Sequence, residues 1–171
     1  MANPVIVRSA GAVPSMMAAT TCGETNASGA RSRIWRSPLC SRAPHDRQAR
    51  FLSTASDEVV IANGRELDPS RAVLIGAFDP RNVLIGLAEA HTAALCGVDL
   101  GVSVDAAFRR RGIGRRLVAR VVALAFARGA RSAHFNFAPT NGALSCLVQS
   151  LGAKVGPTLG HASIDRDARA A

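Results

Sequence analysis

The sequence predicts an α/β fold with a mixed, mostly antiparallel central sheet flanked by helices. Three observations predict it. Two apolar runs, Ala72–Phe78 and Val83–Ala88, meet at the turn signal Asp79-Pro80-Arg81-Asn82 and read as an antiparallel hairpin. From Val98 onward, strand-like runs alternate with amphipathic helical stretches. The chain has 171 residues, 48 % of them apolar and 19 % charged, which suits one domain with a core of its own.

Taken in order, residues 1–30 mix Ala, Ser, Thr, Gly and Pro without a periodic apolar face. They read as an extension outside the fold or as a mis-assigned start, with Met16 and Met17 as alternative starts. Residues 31–165 read as the domain and 166–171 as a tail. Asp46–Phe51 suggests a short helix, and Ser56-Asp57-Glu58 can cap a second. The hairpin follows, and then Val98–Val104 as a third strand. A long helix runs to about Arg128, with Leu117, Val121, Leu124 and Ala125 on one face and Gly129 as its stop. Ser132–Phe137 alternates as a strand. Pro139-Thr140-Asn141 opens a helix from Gly142 to Leu151, and short strands at Lys154-Val155 and His161–Ile164 close the order.

Composition narrows the function. Twenty arginines stand against one lysine, Lys154, and the net charge is +9. Residues 51–104 carry a net −4, whereas 105–171 carry a net +8. A basic segment seeks an anion, and an acidic one suits a cationic substrate. The acidic middle argues against a protein that coats nucleic acid. No apolar run reaches the roughly 18 residues of a membrane helix, so no membrane partner is expected. Cys22, Cys40, Cys96 and Cys146 are too dispersed for a zinc site, so no metal is expected. Reduced thiols in a cytoplasmic protein are the corresponding reading.

The segment Arg109-x-x-Gly112-x-Gly114 lies between a strand and a helix. Its glycines admit a ligand close to the backbone, and the helix start offers unpaired N–H groups. Arg109, Arg110, Arg111, Arg115 and Arg116 add positive charge, so a diphosphate fits. Leu117 stands where a dinucleotide fingerprint needs a third glycine, and no Gly-Lys-Ser or Gly-Lys-Thr of a nucleoside-triphosphate loop is present. An arginine-rich helix start with a tight turn explains the hexapeptide equally well.

In context, Val98–Gly156 resembles the GNAT family of N-acetyltransferases. The resemblance rests on Val102-Ser103-Val104 before the loop and on the loop itself. It continues through the strand Ser132–Phe137, Asn141 and Leu151-Gly152-Ala153. Asp46–Phe51 with Ser56-Asp57-Glu58 is similar to a bacterial branch that includes domains acetylating protein lysines. The resemblance implies an acyl-CoA N-acyltransferase fold, acetyl-CoA as cosubstrate and a primary amine as acceptor. It places the pyrophosphate on Arg109, Arg110, Arg111, Gly112, Ile113, Gly114 and Arg115. Pantetheine would lie along Val102, Ser103 and Val104, with the oxyanion on a backbone N–H of that strand and Asn141 touching the cofactor. It gives Asp99 the place of a Glu that serves as base.

There are departures. Val148 stands where many members carry a tyrosine acid, and the chain has no tyrosine. Ala153 replaces the usual phenylalanine. Other residues weigh less: Glu89 and His91 could line an acceptor pocket but read rather as an exposed loop pair, His134 could face the cofactor cleft but reads rather as a helix-covered polar residue, and Cys146 reads as core. Two rival readings stay open, a degenerate CoA-binding regulatory domain and a nucleic-acid module using the basic Arg109–Arg120 helix. A homodimer also stays open.

Overall fold

A computed structural model describes residues 6–10, 72–156 and 160–167. The two helices expected at Asp46–Phe51 and after Ser56-Asp57-Glu58 lie outside these residues, as does most of the proposed tail. The strands are β1 (Ile6–Ala10), β2 (Ala72–Phe78), β3 (Leu84–Thr92), β4 (Gly97–Val104), β5 (Ser132–Asn136), β6 (Lys154–Val155) and β7 (His161–Asp165). The helices are α1 (Ile113–Ala127) and α2 (Gly142–Ser150). The strands form a seven-stranded sheet in the order β1-β2-β3-β4-β5-β7-β6. Its pairings are antiparallel except that of β4 with β5, which is parallel and needs α1 as its crossover.

The expected hairpin is β2–β3, with a register that runs Ala72↔His91 to Phe78↔Leu84. Its turn is held by Asp79, whose Oδ1 accepts from Val83 N at 2.8 Å and whose amide donates to Val83 O at 2.9 Å. Val83 is thereby part of the turn, and the strand starts one residue later than the apolar run suggests. It also runs on past Ala88 through Glu89, Ala90, His91 and Thr92. β1 is a correction to the sequence reading: Ile6–Ala10 pairs antiparallel with Leu74–Phe78, within a stretch placed outside the fold. Five residues without a periodic pattern around them carry too little signal to stand out as a strand.

One face of the sheet carries the core. Val73, Ile75 and Ala77 from β2, Ala88 and Ala90 from β3, and Val98 and Leu100 from β4 bury against α1. The helix answers with Ile113, Leu117, Val118, Val121, Val122 and Ala125. This stripe is wider than the four positions read from sequence, and Leu124 sits at its half-buried margin. Phe135 on β5, 1 % exposed, closes the same core. A fully buried side chain of this kind contributes roughly 1.5–3 kcal/mol. Arg128 at the end of α1 donates from Nη1 to Ala72 O at 3.1 Å, tying the helix to β2.

Side chains at alternate positions point to the other face. Register places Leu87 and Ser103, Glu89 and Gly101, and His91 and Asp99 there as cross-strand pairs. Asp99 also pairs with His134 of β5. The three histidines of the described residues, His91, His134 and His161, all lie on this face.

Candidate active site

β4 and β5 pair only from Gly97↔Ser132 to Leu100↔Phe135, and then diverge. The next residues, Gly101 and Asn136, are opposite walls of a cleft of about 440 Å³. Such a volume suits a small-molecule site. β4 supplies the wall from Leu100 to Val104, the loop and the start of α1 supply one end, and α2 supplies Ala143, Leu144, Cys146 and Leu147. Beyond Leu100, β4 has no strand partner on its β5 side among the described residues. Its backbone groups on that side therefore face the cleft.

The phosphate-type loop is built from β4 outward. Asp105 caps the 3-10 turn Ala106–Phe108, accepting from Ala107 N at 3.0 Å. Arg109 turns back and donates from Nε to Val104 O at 3.1 Å, which fastens the loop to the strand. Arg110 has φ of 62° and Gly112 has φ of 74°, both in the left-handed region. A non-glycine residue pays roughly 1–2 kcal/mol for that conformation, and such outliers gather at functional sites. Gly112 is the N-cap of α1 and offers no side-chain cap, so the first helical N–H groups stay open to a ligand.

Gly114 is the most informative residue here. Its φ is not left-handed, and a Cβ on it would meet only Leu147 Cδ2 and Val104 Cγ2, each at an ordinary 3.7 Å. The fold therefore has room for a side chain at a helical position where alanine would be favoured. Gly114 nevertheless lines the cleft. The missing side chain leaves space for something that approaches the backbone from the cleft.

Most sequence-predicted binding residues converge on this wall. Val102, Ser103 and Val104, then Arg109, Arg110, Gly112, Ile113, Gly114 and Arg115, line it, and Asn141 faces them from the start of α2. Asn141 Oδ1 is engaged as the α2 cap, accepting from Leu144 N at 3.1 Å. Arg111 does not line the cleft. Its Nη2 donates to Ala107 O at 3.1 Å and its guanidinium stacks 5.3 Å from the Phe108 ring centroid. Asp99 is exposed on the far face and outside the lining.

Two lesser readings, of the Glu89–His91 pair and of Cys146, are corrected, and His134 is placed on the sheet. Glu89 and His91 are not an exposed loop pair: both lie in β3, Glu89 is 6 % exposed, and His91 Nε2 stands 3.6 Å from Glu89 Oε2. His134 is on the face away from α1. Its Nε2 lies 2.8 Å from Ser132 Oγ and its ring stacks on His161 at 5.6 Å. Cys146 is exposed on the cleft side of α2, whereas Val148 is wholly buried. The alternation Leu87, Glu89, His91 was the signal for the first of these. Phe108, Asn136, Leu144 and Leu147 line the cleft without any sequence signal that singled them out.

No cluster that could hold a metal ion occurs among the described residues. No helix among them is long and apolar enough to cross a membrane.

The profile of the acetyltransferase (GNAT) family matches residues 35–152. No curated protein matches the chain. Among solved structures, the chain is similar to the GNAT domain of S. lividans PAT, with 16 % identity, a TM-score of 0.67, and coverage of 80 % of this chain and 85 % of that one. It is similar to an N-acetyltransferase from Staphylococcus aureus Mu50, with 16 % identity, a TM-score of 0.63 and coverage of 95 % and 98 %. It is also similar to yncA, a putative acetyltransferase from Salmonella typhimurium solved with its cofactor acetyl-CoA, with 18 % identity, a TM-score of 0.56 and coverage of 71 % and 84 %. The fold is the acyl-CoA N-acyltransferase fold, and the chain belongs to the GNAT family of acyl-CoA-dependent N-acetyltransferases.

Proposed function

We propose that the chain transfers an acetyl group from acetyl-CoA to a primary amine, on a protein lysine or a small molecule, by direct attack in a ternary complex. The observation that carries the cosubstrate is Gly114, a cleft-lining glycine that the fold itself does not require. Acetyl-CoA, when bound, supplies the reactive thioester.

The chain's own residues divide the work. The open N–H groups at the start of α1, with Arg110 and Arg115, hold the pyrophosphate by charge and hydrogen bonds. The free side of β4 from Val102 to Val104 takes the pantetheine amides as an added strand. Arg109 keeps the loop on the strand, and Arg111 braces it on Phe108. Asn141 fixes the start of α2 beside the cofactor. A backbone N–H of β4 near Gly101 meets the oxyanion. Asp99, exposed between His91 and His134, engages the amine while it is still a cation.

The acidic 51–104 stretch supports a cationic acceptor. Residues 31–165 form the catalytic domain in this reading, with β1 added to it, and the site is cytoplasmic. Calorimetry with acetyl-CoA and CoA tests the reading directly. Micromolar binding that weakens with salt is expected. Absence of binding by either ligand would overturn it.

A further inference from the structure

Resting on the acetyl-transfer reading above, the geometry points to Glu89 as the base that deprotonates the acceptor amine, with His91 as the proton's way out. The cleft has a direction. Its phosphate end is the Arg110–Gly114 loop, so its acyl end is the opposite one, at Leu100, Gly101 and Asn136. Glu89 is cross-strand from Gly101, and its Oε1 lies 2.7 Å from the point where a Cβ on Gly101 would be. The carboxylate thus occupies the side-chain space of the residue that forms the cleft wall at its acyl end. β4 carries a glycine at that place, and the neighbouring strand delivers the acid.

Asp99 is less well placed. It lies two residues beyond Gly101, roughly 7 Å along the strand, and it is exposed to water. Glu89 is 6 % exposed. Beside it, His91 Nε2 stands 3.6 Å from Oε2 and its side chain is 39 % exposed. A buried carboxylate next to a half-exposed imidazole is a route from the acyl end to solvent. His91 in turn pairs across the strands with Asp99, which pairs with His134, so these groups face the route from β4 and β5.

The proton balance closes. The ammonium gives one proton to Glu89, breaking an N–H bond and forming O–H, and that proton leaves through His91 to water. The neutral amine attacks the thioester carbon, forming C–N and moving the carbonyl π electrons onto the oxyanion, whose collapse then breaks C–S. The nitrogen then loses a second proton to the regenerated Glu89 carboxylate, and this proton ends on the departing thiolate. No tyrosine is needed, and the chain has none.

The test uses the full chain, acetyl-CoA, and a panel of lysyl peptides and simple alkylamines. Glu89→Gln is expected to lower kcat about 100-fold, with acetyl-CoA affinity within about twofold of wild type. Its residual rate should rise about tenfold per pH unit toward the amine's own pKa near 10, because only free amine then reacts. Glu89→Asp should recover part of the loss and serves as the readout if the Gln variant folds poorly. Asp99→Asn should mainly raise KM for the amine. Glu89→Gln turnover within threefold of wild type overturns the assignment. So does a loss that is equal at every pH and accompanied by lost acetyl-CoA binding, since that marks a structural role. A wild type that binds no acetyl-CoA, or acetylates no amine in the panel, defeats the parent reading instead and takes this one with it.

Discussion

Leu147 of α2 stands 3.7 Å from the position that a Cβ on Gly114 of α1 would take. That is van der Waals contact, so alanine fits at 114 without displacing either helix. Gly114→Ala should stabilise the protein by roughly 0.5–1 kcal/mol through helix propensity. It should weaken acetyl-CoA binding at least about tenfold, because the methyl group enters the cleft. A denaturant titration and calorimetry on the same preparation measure the two effects. Unchanged affinity would remove the argument that the glycine serves the ligand.

Gly112 behaves differently although nothing lies within 4 Å of its would-be Cβ. With φ of 74°, the cost of alanine there is conformational, about 1–2 kcal/mol. Gly112→Ala should therefore lower Tm by about 2–8 °C. Differential scanning calorimetry of the free protein checks this, and a Tm equal to wild type would show that the turn can relax.

Arg110 sits in the same backbone region with a side chain. Arg110→Gly should gain about 1 kcal/mol of stability by relieving that strain. It should also weaken acetyl-CoA binding about fivefold at low salt, with the deficit shrinking near 0.5 M salt as screening removes the charge effect. Binding isotherms at two ionic strengths give the comparison.

Removal of residues 1–30 deletes β1 and leaves the outer edge of β2 without the partner it has over Leu74–Phe78. We expect Tm to fall by about 4 °C or more, and the truncated protein to self-associate through the bared edge. Thermal melts with light scattering would show both, and a truncation as stable as the full chain would make β1 dispensable.

Phe135, 1 % exposed, is the last β5 residue paired with β4 before the strands part. Phe135→Ala should cost about 3–5 kcal/mol, measured by urea unfolding, and should lower cleft affinity as well because the wall loses its backing.

Much of this was legible in the sequence, for identifiable reasons. The hairpin, the long helix and the β5–α2 unit each repeat a period with a turn or cap at the ends, and those are local signals. The loop at Arg109–Gly114 was legible as a candidate site because glycine and arginine at fixed spacing between a strand and a helix suit an anion, and it does line the cleft. What escaped depended on partners distant in the chain. Glu89 reads as an ordinary acid until β3 and β4 are in register and Gly101 gives way to it. Arg111 looks equivalent to Arg110 until Phe108 claims its guanidinium. β1 depends on the edge of β2, which no window around Ile6 contains. Cys146 lies on an apolar-looking helix, but the cleft removes the neighbour that would have buried it.

The parting of β4 from β5 has a mechanical consequence. Four residue pairs, Gly97–Leu100 with Ser132–Phe135, join the β1–β4 half of the sheet to the β5–β7 half. A molecule lying along β4 beyond Leu100 acts as a splint across that seam, bonded to one half and wedged against α2 on the other. Ligand at about 100 times its Kd adds roughly 2.7 kcal/mol to the folded state. That stabilisation is applied where the two halves are least joined, so it stiffens their relative motion more than either half. Amide exchange in β4 and in β5 should slow together when the splint is present, as though one plate had replaced two.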